Sequence, residues 1–88
     1  MNRSDILSTA AEYVTKDRAA THGDAEDTFA QIANLWSAYL GDEIGSTDVA
    51  AMMILLKLAR IQSNPQHMDS WTDVAGYAAC GGEIAGRS

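Results

Sequence analysis

The chain has 88 residues, enough for one domain. A chain of that length buries only about 60–65 % of its unfolded surface, so it is marginal alone. Net charge is −6 with only six basic residues, too few for a stripe that tracks phosphates along DNA or RNA. An acidic average still leaves room for a local basic pocket that takes one small anion.

The single cysteine, Cys80, excludes an intramolecular disulfide framework and any cysteine-only metal site. It stands among alanines and glycines and reads as a small packing residue. Met1–Asp5 is polar and no apolar run follows, so no signal peptide is expected and the expected setting is cytoplasmic.

Ser4 reads as an N-cap. Ile6, Ala10, Tyr13 and Val14 recur at helical spacing, which predicts a first helix from about Asp5 to Asp17. The stretch RAATHG, residues 18–23, breaks that pattern. Asp24 is the expected cap of a second helix, with Glu26 and Asp27 in its first turn, where the helix dipole favours acids. Phe29, Ile32, Ala33, Trp36, Tyr39 and Leu40 make its apolar stripe, and Gly41 stops it.

The third predicted helix opens at Ser46 or Thr47 and ends near Gln62. Eleven of the thirteen residues from Val49 to Ile61 are apolar, the exceptions being Lys57 and Arg60. A helix apolar nearly all round is expected to be buried. A membrane span is excluded, because it needs about 20 apolar residues without charges. Such a helix in so short a chain calls for a covering partner, and a second copy is the simplest one.

Pro65 disfavours helical geometry at Asn64, so SNPQHM is a turn. Asp69 or Ser70 is the expected cap of a fourth helix, WTDVAGYAACGGEIA. Val74, Ala78, Gly81 and Ala85 make one face of small residues, which predicts a close helix crossing.

Lys57 and Arg60 lie three apart and share a helical face. A cation inside a core helix needs a partner. Asp69, Asp73 and Tyr77, at i, i+4 and i+8, offer one from the fourth helix. Two readings stay open: an ion-pair network that closes the core, or an anion site. Arg18 and His22 stand at the entry to the second helix, whose free amides make it a second place for an anion; an ordinary cap with Arg18 paired to Glu26 or Asp27 is the alternative. His67 lies in the turn before the fourth helix. Trp71 reads either as a core residue or as a stacking platform for a base. No glycine-rich phosphate loop, nucleophile elbow or zinc spacing is present.

Three segments carry a resemblance: HGDAEDTFAQIANLWSAYLG, DVAAMMILLKLARIQ and HMDSWTDVAGYAA. Together they resemble a group of small phage and prophage proteins of unknown function, over about Asp17 to Ala79. More distantly, the third and fourth helices are similar to the MazG-like all-α nucleoside triphosphate pyrophosphohydrolases. That superfamily places ExxE on one helix and ExxD on the next, to hold magnesium against a triphosphate. Here Asp48–Ala51 and Ser70–Asp73 each keep one acid, and magnesium needs more than two scattered carboxylates.

The expected fold is therefore an all-α, four-helix MazG-like bundle, oligomeric, in one domain of residues 1–88. The expected function is binding of a small phosphorylated nucleotide by Arg18, His22, Lys57, Arg60, His67, Asp69, Trp71, Asp73 and Tyr77, without a metal or cofactor. By the phage resemblance, the role would be to sequester a nucleotide signal of host defence. The alternatives are a divergent magnesium-dependent pyrophosphohydrolase and a structural or regulatory interaction protein. No membrane and no nucleic-acid polymer is expected as a partner.

Overall fold

The computed structural model describes residues 1–17 and 25–87, apart from the side chains of residues 16, 17 and 25. The expected break at residues 18–23, the Asp24 cap, and Arg18 and His22 lie outside the described residues. Within them the protein is all-helical, with four α-helices and no strand. α1 is Arg3–Glu12, α2 Ala25–Leu40, α3 Ser46–Ser63 and α4 Met68–Gly86.

Asn2, not Ser4, caps α1. Its Oδ1 accepts from the Asp5 amide at 2.8 Å, and the Asp5 carboxylate accepts from the Asn2 amide at 3.2 Å. This reciprocal pair satisfies two amides that a helix start leaves orphaned. Tyr13–Asp17 continues the chain as one turn of π-helix and not as α-helix. Single π turns widen the helix locally and re-aim its side chains. The Tyr13 hydroxyl thereby reaches α4 and donates to Asp69 Oδ1 at 3.1 Å.

α2 ends at Gly41, whose φ of +70° is the left-handed conformation that glycine adopts at no steric cost. The Gly41 amide donates to the Ser37 carbonyl at 2.9 Å. Ser37 Oγ accepts from the Ile44 amide at 2.8 Å and so pins the loop that leads to α3. Asp48 holds the start of α3, its carboxylate accepting from the Gly45 amide at 2.9 Å. Pro65 does close α3: Asn64 leaves helical geometry, with its amide still bonded to the Arg60 carbonyl. α4 starts at Met68, one or two residues before the expected caps, with His67 at the cap position and no side chain capping it.

Phe29 and Ala33 of α2 and Val49 and Ala50 of α3 are the buried centre. Ile32, Trp36, Ile44, Met53, Tyr77, Cys80 and Ile84 pack around them. The small-residue face of α4 does what its composition predicts. A Cβ at Gly81 would stand 2.8 Å from the Ala50 Cβ, closer than two carbons can approach. The missing side chain sets the spacing of α3 and α4, whose packing is the most extensive in the molecule.

Two sequence expectations are overturned. The α2 stripe turns outward at its end, with Tyr39 89 % exposed and Leu40 also outside. Seven residues past Ala33 the core has run out, since α3 begins only after the loop. Nor is α3 buried all round. Val49, Ala50 and Ile61 are buried, while Met52, Leu55, Leu56 and Leu58 point away, Leu55 at 63 % exposure. Three neighbouring helices can cover only one side of an 18-residue cylinder.

Candidate functional site: the cleft at the α3–α4 turn

Lys57 lies on the inner side of α3. Its Nζ stands 2.8 Å from Asp73 Oδ2, and the two side chains are 18 % and 9 % exposed. Successive turns of α4 bring Asp69 to the Tyr13 hydroxyl and Asp73 to the α3 face. One helical turn further, Tyr77 packs on Phe29, ring centres 6.2 Å apart. The line Asp69, Asp73, Tyr77 is thus a seam joining α4 to three different parts of the fold.

Arg60 is three residues past Lys57 but 60° round the helix, and that rotation separates their fates. Arg60 is exposed, and no side chain among the described residues is positioned to pair with it. It lines an open groove of about 620 Å³ where α3 passes into α4. Leu56 and Ala59 give the groove an apolar floor. Ser63, Asn64 and His67 add polar groups from the turn, and Ser70 closes it from α4.

Trp71 does not face the core. It is 42 % exposed, and its indole N–H donates to the Pro65 carbonyl at 2.9 Å, bracing the turn on which His67 sits. Of the nine expected ligand residues, the structure brings Arg60 and His67 to one groove. It assigns Lys57, Asp73 and Tyr77 to the interior and Asp69 to the Tyr13 contact. Ser63, Asn64 and Ser70 were not among the expected residues. Their signal was the polar turn itself, SNPQH, read only as a helix stop.

The acids in the two MazG-type positions are both engaged, Asp48 at the start of its own helix and Asp73 with Lys57. Among the described residues no group of three or more histidine, cysteine or acidic side chains is placed to hold a metal ion. No helix among them is long and apolar enough to cross a membrane.

These features define a small all-α protein with an ion-paired core and an exposed cationic groove at a helix–turn–helix corner. The chain belongs to the family described as a domain of unknown function, DUF6378, whose model matches residues 5–85. It is 50 % identical over 74 residues to the Gene 55 protein of Mycobacterium phage L5, covering 83 % of this chain and 47 % of that protein. It is 44 % identical over 75 residues to the Gene 55 protein of Mycobacterium phage D29, covering 85 % of this chain and 50 % of that protein. The expected kinship with small phage proteins is thereby found, and the chain spans about half the length of the curated relatives it matches. No solved structure matches.

Proposed function

We propose that the protein binds a small phosphorylated nucleotide in the α3–α4 groove and works as a homo-oligomer on a MazG-like helical scaffold. Arg60 carries this reading. It is a guanidinium without a protein partner among the described residues, set beside His67 over an apolar floor. A planar guanidinium can donate two parallel hydrogen bonds to a phosphate, which makes arginine the stronger clamp than lysine. His67 adds a donor, and the exposed Trp71 ring, next in sequence to the groove residue Ser70, is available to stack a base. Arg18 and His22, outside the described residues, stay in this proposal as candidate ligands by sequence alone. In a phage setting the role is to sequester a nucleotide signal used by host defence, in the cytoplasm of the infected cell. Binding of this kind requires no cofactor.

The variant Arg60→Ala tests it in calorimetry against ATP, GTP, CTP and UTP. Because Arg60 is exposed, helical circular dichroism and melting should stay within about 0.5 kcal/mol of the parent. Affinity should fall by at least tenfold. Unchanged affinity would sink the groove reading. Sustained pyrophosphate release from a triphosphate with magnesium would put the hydrolase first. Native mass spectrometry of protein purified from cells adds the retained ligand and the stoichiometry.

A further inference from the structure

We infer that a second copy of the chain docks antiparallel on the outward face of α3, and that each copy supplies the missing wall of the other's groove. The inference rests on the groove reading above and gives it a partner. The outward face carries Ala51, Met52, Leu55, Leu56, Leu58 and Ala59, spaced as one continuous stripe of a 3.6-residue helix. From Asp48 to Arg60 that side bears no charge, since Lys57 turns inward. The chain as a whole has twelve acidic against six basic residues. Two such chains repel over most of their surfaces, and this uncharged stripe lets them approach without opposing like charges.

Charge also sets the direction. The first turn of α3 carries Asp48 and its last turn Arg60. A parallel pair would set acid beside acid. An antiparallel pair brings Asp48 to the partner's basic end and opposes the two helix dipoles. A two-fold axis at Leu55 then sets Ala51 against the partner's Ala59 and Asp48 against the partner's Gln62. Such an isologous contact closes on itself and stops at two copies.

The groove follows from this geometry. Leu56, Ala59 and Ser63 belong both to its lining and to the outward side of α3. The partner's first turn, with Thr47 opposite Ser63 and Asp48 opposite Gln62, walls the open side. The Asp48 carboxylate offsets Arg60 while the groove is empty.

Light scattering and calorimetry on the full chain test this. The parent protein should be a dimer at micromolar concentration. Leu55→Glu sets two like charges on the axis and should give a folded monomer with at least tenfold weaker binding of the four nucleoside triphosphates. Leu35→Glu, an equally exposed leucine on α2, should change neither. In a Cys80→Ala background, Ala51→Cys protein mixed with Ala59→Cys protein should cross-link to each other faster than either does to itself. That arm reads orientation even if Leu55→Glu fails to fold. A parent of 9.4 kDa, a Leu55→Glu dimer, or self-linked Ala51→Cys pairs would overturn the antiparallel dimer. A Leu55→Glu monomer that binds like the parent would overturn the shared wall. A parent that dimerises as described yet binds no nucleotide would instead remove the ligand and leave the dimer standing.

Discussion

Lys57 and Arg60 show how far a 60° rotation changes the work of a cation. The sequence places both on one face and permits either an ion-pair network or an anion site. In the structure the ion-pair reading takes Lys57 alone. Lys57 is largely withdrawn from water and tied to Asp73 at 2.8 Å, while Arg60 stays outside. A buried pair is weak evidence for stability as such, but removing one member takes a charge-assisted contact from the other, worth about 1.5–3 kcal/mol. Lys57→Met should therefore lower the melting temperature by more than about 5 °C, because each kcal/mol is worth about 4–8 °C in a domain of this size. Arg60→Met, at the same kind of site by sequence, should shift it by no more than a few degrees. Thermal melts of both variants, followed by far-ultraviolet circular dichroism, make the comparison. Equal shifts would mean that the two cations are not divided as described.

Among the elements, the α3–α4 crossing depends most on one residue. Glycine inside a helix costs about 1 kcal/mol relative to alanine, so two in a row at Gly81 and Gly82 look like a weakness. Only Gly81 has a reason in the packing, since its Cβ would meet Ala50 at 2.8 Å, whereas a Cβ at Gly82 meets nothing within 4 Å. Gly82→Ala should stabilise by up to about 1 kcal/mol. Gly81→Ala should lose that gain and more, as overpacking costs about 1–3 kcal/mol, and pairing it with Ala50→Gly should restore part of it. Urea denaturation of the four proteins gives the values.

The close crossing was legible in the sequence, because a face of Ala and Gly at helical spacing has one economical use. So were the four helices and the stops at Gly41 and Pro65, which rest on local backbone chemistry. The direction of Trp71, Tyr39 and Leu40 was not, since periodicity marks an apolar stripe but not where the neighbouring helix ends. The π turn at Tyr13 was hidden for a similar reason: the contact made from it is with Asp69, 56 residues away. In the candidate site, Arg60 and His67 were visible as a cation and a polar turn residue. That α3 would rotate Lys57 away from them needed the position of Asp73.

At the scale of the whole molecule, the hydrogen bond from Tyr13 to Asp69 bears on the order in which the chain assembles. α3 and α4 are joined by a four-residue turn and share the largest interface, so their contact closes a short loop. α1 also packs mainly on α4, but to do so it must close a loop that encloses α2 and α3. Contacts far apart in sequence form late, because their loop entropy has to be met before the contact returns anything. The α3–α4 hairpin should thus form first and open last, with α1 docking on it at the end. Amide hydrogen exchange under native conditions should show it as two tiers, the slowest protons around Ala50 and Tyr77 and faster ones throughout α1. Tyr13→Phe, which removes only the hydroxyl, should speed exchange in α1 alone. If it sped α3 and α4 equally, α1 would be part of the unit that folds first.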